Sequence, residues 1–234
     1  MTETRATDRA LPAFDALILD MDGVIVDTPS LHRRVWTEFV ERAPWPEVRA
    51  QRSRSSGRRA QDVLTELLAH RLSSGEIDRV VEELHGDFLR LRGDLDTVFP
   101  AMRELIGASD FPLAVATSAP RHVAEALLGD LVDRFEVVVT SEDCAAGKPN
   151  PEAYRRAREG LGVAPGRALV VEDTAIGVTA AVAAECVAWA IVSDDAAAAA
   201  CYAAGAAVLC RDAATAAGLV RSEFEATRSL QRAG

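Results

Sequence analysis

Short apolar segments recur along the chain, and each shows little alternation between hydrophobic and polar positions. They span residues 14–19, 113–117, 137–139, 168–171 and 187–192, with a weaker candidate at 207–209. Continuous apolar runs of this length are typical of strands buried on both faces of a parallel sheet. Helical spacing of apolar residues lies between these runs, over residues 121–128, 152–161 and 175–185. This alternation predicts an α/β fold, a doubly wound parallel sheet with helices on both faces.

The stretch after the first run follows a helical period and contains no strand-like segment. Leu31, Val35 and Phe39 fall on one face of a first helix, and two further amphipathic runs follow. Apolar residues at spacings of three and four predict helices with one buried face. We therefore expect a helical domain, residues 28–97, inserted into an α/β core that is made of residues 1–27 and 98–234.

Composition narrows the class of protein. The chain has 234 residues, 49% of them hydrophobic, and a mean hydropathy of +0.04, which fits a globular protein. Its net charge of −10 argues against a surface for nucleic acid or anionic membrane. No apolar stretch reaches transmembrane length, no signal peptide opens the sequence, and the four cysteines lack zinc-binding spacing. We expect a cytoplasmic monomer or homodimer without nucleic-acid or membrane partners.

Polar residues gather where four predicted strands end. They are Asp20, Asp22, Gly23, Thr117, Ser118, Lys148, Glu172 and Asp173. The carboxyl ends of parallel strands meet at one edge of an open α/β sheet, where ligands bind. A buried carboxylate is costly unless a metal ion or a partner offsets its charge, and carboxylate oxygens suit Mg²⁺. The pattern therefore predicts a Mg²⁺ site formed by Asp20, Asp22, Glu172 and Asp173.

The cationic residues indicate an anion beside that metal. The chain has 25 arginines and a single lysine, Lys148. The compact ammonium of a lysine and the planar guanidinium of an arginine bind differently in a tight phosphate site. Phosphoryl transfer requires a nucleophile in line and cations that neutralise charge on the transferred oxygens. Taken singly, each segment also has a plainer interpretation. The first acidic motif fits a turn or calcium-type loop, Lys148 fits a surface charge, and Asp173 fits a helix cap.

Taken in order, the four segments resemble the motifs of the haloacid dehalogenase-like phosphatase superfamily. The resemblance runs from Phe14 to about Val208, and the helical stretch after the first motif resembles that family's small four-helix cap. The sequence of residues 27–36, Asp-Thr-Pro-Ser-Leu-His-Arg-Arg-Val-Trp, resembles the branch with β-phosphoglucomutases, sugar-phosphate phosphatases and phosphoglycolate phosphatases. The resemblance implies a Rossmann-like core, an inserted cap and phosphatase activity.

The resemblance also implies roles for individual residues. Asp20 would be the nucleophile that becomes an aspartyl phosphate, and Asp22 would be the general acid and then the general base. Mg²⁺ would be bound by the Asp20 carboxylate, the Asp22 backbone carbonyl and Asp173, with Glu172 as a further ligand or a partner of the ligands. The groups that would bind the phosphate are Thr117, Lys148 and the backbone amides of Met21, Asp22, Gly23 and Ser118.

The cap offers candidates for substrate recognition. Residues 49–59 hold five arginines and no acidic residue, so Arg58 and Arg59 would reach an anionic substrate when the cap closes. The alternative is a solvated loop. His32 matches a histidine near the hinge and active site of the mutase-like branch, or it is a structural side chain. Arg121 lies where the distal group of a substrate would sit, or it is a charge in the first turn of a helix.

Two departures from the β-phosphoglucomutases bear on the reaction. At the position where those enzymes carry an arginine for a second phosphate, this chain has Ala60, and its last cap helix has no lysine. A cap lysine is also what phosphonoacetaldehyde hydrolases need, and dehalogenases lack the counterpart of Asp22. We expect a Mg²⁺-dependent phosphatase that hydrolyses a small phosphorylated metabolite, a sugar phosphate or phosphoglycolate-like acid. A β-phosphoglucomutase-like isomerase and a non-catalytic module phosphorylated on Asp20 stay open as alternatives.

Overall fold

A computed structural model of the protein describes residues 4–5, 13–49 and 57–233, so Arg52 and Arg54 of the predicted arginine-rich segment lie outside the described residues. The strands of its central sheet are β1 (Thr4–Arg5), β2 (Ala16–Leu19), β3 (Leu113–Ala116), β4 (Val137–Val139), β5 (Ala168–Glu172), β6 (Val187–Ile191) and β7 (Val208–Cys210). Their order across the sheet is β1-β7-β6-β5-β2-β3-β4. β1 runs antiparallel to β7, and the other six strands are parallel.

The sheet confirms the predicted doubly wound α/β fold. β2 lies between β5 and β3, and its side chains alternate between two cores. Leu17 and Leu19 face one core and Ile18 faces the other, all of them fully buried. Burial on both faces explains why these strands are apolar without alternation. The antiparallel β1 was not predicted, because its two residues, Thr and Arg, carry no apolar signal.

Helices cover both faces of the sheet. They are α1 (Pro29–Arg42), α2 (Pro46–Arg49), α3 (Ala60–Leu68), α4 (Ser74–Arg92), α5 (Pro100–Ala108), α6 (Arg121–Leu128), α7 (Glu152–Gly160), α8 (Ala175–Ala183), α9 (Asp195–Ala203) and α10 (Ala213–Ala233). Helices α5, α6 and α10 share one buried cluster with the sheet, and α7, α8 and α9 share the other. Among the described residues, no helix is both long and apolar enough to cross a lipid bilayer.

The four helices α1–α4 form the cap, and they follow β2 directly in the chain. α4 packs against both α1 and α3. The chain leaves the core and returns to it at one place, where Val26 and Val98 form an antiparallel bridge. The amide of Asp27 donates to the carbonyl of Thr97 at 2.8 Å beside this bridge. The domain boundaries at 27–28 and 97–98 stay a prediction, and this pairing supports them.

Candidate active site

Lys148 lies at the centre of a buried group of polar side chains where β2 and β5 end. Its Nζ donates to Asp20 Oδ1 at 2.5 Å, to Glu172 Oε1 at 2.7 Å and to the hydroxyl oxygen of Tyr154 at 2.7 Å. Asp20 follows β2 and Glu172 ends β5, and these strands are neighbours in the sheet. Although burial favours the neutral amine, Asp20 and Glu172 raise the pKa of Lys148. The lysine is only 4% exposed, so it is a buried cation and not a surface charge.

Glu172 is fixed by partners on both carboxylate oxygens. Oε1 accepts from Lys148 and from the Tyr154 hydroxyl at 2.7 Å, and Oε2 accepts from the Asp173 amide at 2.9 Å. A Cβ at Gly177 would lie 1.7 Å from Glu172 Oε1, so only glycine at this position of α8 leaves room for the carboxylate. Although burial opposes ionisation, Lys148 lowers the pKa of Glu172. Glu172 therefore serves as a charged anchor for the lysine.

Asp173 directs an unengaged carboxylate towards the same point. Among the described residues, no hydrogen bond or ion pair reaches its side-chain oxygens. One oxygen each from Asp20, Glu172 and Asp173 lies within 4.8 Å of the other two. Gly23 permits this approach, because a Cβ there would lie 2.2 Å from Asp173 Oδ2. Its φ of +76° is also a backbone conformation that favours glycine.

The three carboxylates hold more negative charge than Lys148 offsets. Burial, together with the charges of Glu172 and Asp22, raises the pKa of Asp20 to about 8 despite the lysine. Burial and the charge of Glu172 also raise the pKa of Asp173. Hard oxygen donors that converge on one point are the ligands Mg²⁺ takes in proteins. The donor set thus fits the predicted magnesium ion, with Asp20 and Asp173 as the available ligands.

Asp22 is held by two side chains at the start of the cap. Thr28 Oγ1 donates to Asp22 Oδ1 at 2.5 Å, and His32 Nε2 lies 2.9 Å from the same oxygen. The His32 ring stacks on Phe88 of α4, with the ring centroids 4.4 Å apart. Although burial opposes ionisation, the hydrogen bonds and charge of these partners, His32 first, lower the pKa of Asp22. The structure places His32 against the second aspartate, so this histidine links the cap to the site.

A cavity of about 480 Å³ lies between the cap and these core residues. Its polar lining includes, from the core, Asp20, Asp22, Ser118, Lys148, Glu172 and Asp173 and, from the cap, His32, Arg33, Arg58 and His85. Trp36 and Phe88 add apolar surface. Burial lowers the pKa of His85, so its imidazole is neutral near neutral pH. Small-molecule sites commonly have this size and this mixture of apolar walls with few polar groups.

The other predicted phosphate-binding groups lie beside this cavity. The Ser118 hydroxyl donates to the carbonyl of Gly57 in the cap at 3.2 Å. Thr117 Oγ1 accepts a hydrogen bond from the amide of Ala119 at 3.0 Å, which forms a turn. β3 therefore ends at Ala116, one residue earlier than predicted. The Met21 side chain is fully buried, so a role in binding is open only to its backbone.

Two of the predicted substrate residues do not line this cavity and are bound to other parts of the protein. Arg59 donates to both carboxylate oxygens of Asp62 at 2.8 Å and to backbone carbonyls of the core. Arg121 Nη2 lies 3.2 Å from Asp143 Oδ2. Among the described residues, Arg58 lines the cavity between the cap and the core, and Arg59 and Arg121 do not. The structure therefore brings Arg58 to the candidate site and leaves Arg59 and Arg121 outside it.

Sequence reasoning missed several residues of this region, among them Tyr154, Thr28 and Arg33. Tyr154 falls on the buried face of α7, where an aromatic residue normally indicates core packing. Thr28 immediately precedes α1, where a threonine is an ordinary N-cap, yet its hydroxyl is directed to Asp22. Arg33 follows His32 and was one of many arginines. The one sequence feature that could have indicated a role in the site is that Thr28 and Arg33 lie close to the first motif.

Comparison with known proteins identifies the family. Residues 14–185 match the haloacid dehalogenase-like hydrolases, and the chain belongs to that family. A phosphorylated carbohydrates phosphatase from Thermotoga maritima is 30% identical over 172 residues, which cover 71% of this chain and 80% of that protein. A β-phosphoglucomutase from Mycobacterium bovis is 31% identical over 199 residues, which cover 70% and 76% of the two chains.

A solved structure confirms the fold. The β-phosphoglucomutase from Clostridium difficile superposes with a TM-score of 0.74 over 91% of this chain and 97% of that one, at 19% sequence identity. At that identity the likeness shows the α/β core with its cap, and no activity. The family, together with several relatives that are phosphatases, makes this chain a phosphoric monoester hydrolase.

Proposed function

We propose that this chain is a Mg²⁺-dependent phosphatase that hydrolyses a small phosphorylated metabolite, a sugar phosphate or phosphoglycolate-like acid, through an aspartyl phosphate on Asp20. The observation that carries the proposal is the buried contact between Asp20 and Lys148, with the unengaged Asp173 carboxylate beside it. A nucleophile, a fixed cation and a ligand for a second cation are the parts that phosphoryl transfer needs. The relative that acts on phosphorylated carbohydrates favours a sugar phosphate.

In the first step, an Asp20 carboxylate oxygen attacks the phosphorus atom, and the bond between phosphorus and the ester oxygen breaks. The leaving alkoxide takes a proton from Asp22, which His32 and Thr28 hold in place. Lys148 donates to an oxygen of the transferred group and offsets its charge. When bound by Asp20 and Asp173, Mg²⁺ would add positive charge at the phosphoryl oxygens.

In the second step, water attacks the phosphorus atom of the aspartyl phosphate. Asp22 accepts the proton of that water, the bond from phosphorus to the Asp20 oxygen breaks, and inorganic phosphate and the Asp20 carboxylate result. The proton that Asp22 accepts in this step is the one that it donates to the leaving alkoxide in the next turnover. Glu172 and Tyr154 act through Lys148, because both hold its ammonium group in position.

The remainder of the substrate would occupy the space beneath the cap. Arg33 and Arg58 line the cavity from the cap side and would meet an anionic or hydroxyl-rich end of the metabolite. Trp36 and Phe88 would exclude water from the reacting group. The cap would thus determine which metabolite is accepted, and the core would carry out the phosphoryl transfer.

A β-phosphoglucomutase-like isomerase is the second candidate, favoured by the relative from Mycobacterium bovis. In a mutase the phosphoryl group returns to a sugar hydroxyl, whereas in a phosphatase it passes to water. The cap has Ala60 where the mutases carry an arginine for a second phosphate, and its last helix lacks the lysine of the mutases, which favours hydrolysis.

The test is phosphate release from a panel of phosphorylated metabolites, with and without Mg²⁺. Asp20→Asn is the catalytic variant, and Asp130→Asn, which makes the same charge change at an exposed site, is its matched control. Release that requires Mg²⁺, disappears in Asp20→Asn and persists in Asp130→Asn supports the proposal. Conversion of β-glucose 1-phosphate to glucose 6-phosphate without release from any monoester would favour the mutase instead.

A further inference from the structure

A second group of metal-ligating side chains lies where the cap meets the core. Glu82 and His85 are three residues apart on α4, and His122 is in the first turn of α6. One ligand atom from each of the three lies within 4.8 Å of the other two. Because α4 packs against α6, side chains from the cap and from the core converge on one point.

These three side chains have few other partners among the described residues. No hydrogen bond or ion pair there engages the Glu82 carboxylate or the His122 ring. Nδ1 of His85 is buried and has no hydrogen-bond partner there. A buried polar atom without a hydrogen-bond partner destabilises the fold, so a ligand that pairs with it is favoured. The two rings lie 5.9 Å apart between centroids and are inclined at 71°, so they do not stack face to face.

We propose that Glu82, His85 and His122 bind a transition-metal ion of the Zn²⁺ type, which joins the cap to the core. Two imidazoles with one carboxylate suit Zn²⁺, whereas Mg²⁺ and Ca²⁺ take oxygen ligands. Metal–nitrogen bonds of about 2.0–2.1 Å require the ligand atoms to draw together by roughly 1 Å. Glu82 and His122 are exposed side chains that have room for this movement.

The site is separate from the acidic group around Asp20, and its consequence concerns the cap. A metal ion shared by α4 and α6 would hold these helices together and slow the opening that admits substrate and releases product. His85 also lines the cavity, so the bound ion would lie at its edge. Zn²⁺ would therefore lower turnover in protein whose acidic site is already saturated with Mg²⁺.

The test is a titration of the full chain with Zn²⁺ in millimolar Mg²⁺, followed by calorimetry, with Co²⁺ as a spectroscopic probe of imidazole ligation. We expect one Zn²⁺ per chain, and a loss of affinity of at least about tenfold in His122→Asn and in Glu82→Gln. The matched controls are His70→Asn and Glu83→Gln, which make the same changes on exposed cap positions outside the cluster. These controls should bind Zn²⁺ as the unmodified protein does.

Two results would overturn the inference. Zn²⁺ affinity that is unchanged in both His122→Asn and Glu82→Gln would show that the cluster does not bind the ion. Zn²⁺ binding that is lost in Asp173→Asn but kept in His122→Asn would place the ion in the acidic site. In support, His122→Asn should keep the Mg²⁺-dependent activity and lose its inhibition by Zn²⁺.

Discussion

Arg59 of the cap donates from Nη1 to the backbone carbonyl oxygen of Cys144 in the core, at a distance of 2.9 Å. Its other nitrogens donate to Asp62 and to the carbonyl of Ala145 in the same core loop. That loop continues to Gly147 and Lys148, and a Cβ at Gly147 would lie 2.7 Å from Arg59 Nε. The arginine therefore ties the start of α3 to the loop that positions the buried lysine.

Replacing Arg59 with Ala should destabilise the protein, because the change removes a buried guanidinium with five hydrogen bonds. We expect the free energy of unfolding to fall by about 2–4 kcal/mol, measured by denaturant titration. Arg58→Ala is the matched control, since Arg58 lines the cavity and pairs with Glu66. It should raise KM and leave the free energy of unfolding within about 1 kcal/mol. A raised KM in Arg59→Ala, together with a lower free energy of unfolding in Arg58→Ala, would show that Arg59 is the substrate residue.

Tyr154→Phe tests the hydrogen bonds that hold Lys148. The change removes the hydroxyl that donates to Glu172 and accepts from the lysine, inside a fully buried network. We expect a loss of about 1–3 kcal/mol in the free energy of unfolding and a fall in kcat of about tenfold or more, with little change in KM. Tyr202→Phe, at an exposed site, is the control. An unchanged kcat in Tyr154→Phe would show that Lys148 needs no such support.

Gly23→Ala tests the approach of the first motif to Asp173. The new Cβ would lie 2.2 Å from Asp173 Oδ2, at a φ of +76° that costs a side chain about 1–2 kcal/mol. We expect Mg²⁺ affinity to fall by about tenfold or more, measured by the Mg²⁺ dependence of phosphate release. Gly107→Ala, where an added Cβ meets no atom within 4 Å, should leave that affinity unchanged.

The raised pKa of Asp20 predicts how stability depends on pH in the absence of metal. Between its ordinary value of 3.8 and about 8, the folded protein holds a proton on Asp20 that the unfolded chain has lost. The free energy of unfolding of the Mg²⁺-free protein should therefore fall as the pH rises through this range. Mg²⁺ competes with that proton, so it should raise the melting temperature more at about pH 9 than at about pH 6. If Mg²⁺ raised the melting temperature equally at both pH values, the raised pKa of Asp20 would be contradicted. In Asp173→Asn, Mg²⁺ should no longer raise the melting temperature.

The sequence was sufficient for the parts of the molecule that repeat a local pattern. The apolar runs predicted β2 to β7 to within two residues, because strands buried on both faces leave an unbroken hydrophobic segment. Asp20, Glu172 and Asp173 could be expected together, because the carboxyl ends of neighbouring parallel strands meet.

Other features depend on contacts between distant parts of the chain. Three of the five hydrogen bonds of Arg59 go to backbone carbonyls more than 80 positions away, and no side-chain pattern marks a carbonyl as an acceptor. Tyr154 has the sequence signature of a core aromatic residue, and only the fold brings its hydroxyl to Glu172. Likewise, Glu82 and His85 show the spacing of one helical turn, but His122 joins them only through the packing of α4 on α6.

Detection of the phosphorylated residue is the most direct test of the proposed reaction. The enzyme is mixed with substrate and Mg²⁺, quenched in acid within one turnover and reduced with borohydride, which converts an aspartyl phosphate to homoserine. Mass spectrometry of the peptide that contains Asp20 and Asp22 then locates the modification. We predict homoserine at position 20 of the unmodified enzyme and no such modification in Asp20→Asn. Phosphate release by the unmodified enzyme without any modification at Asp20 would contradict the proposed mechanism.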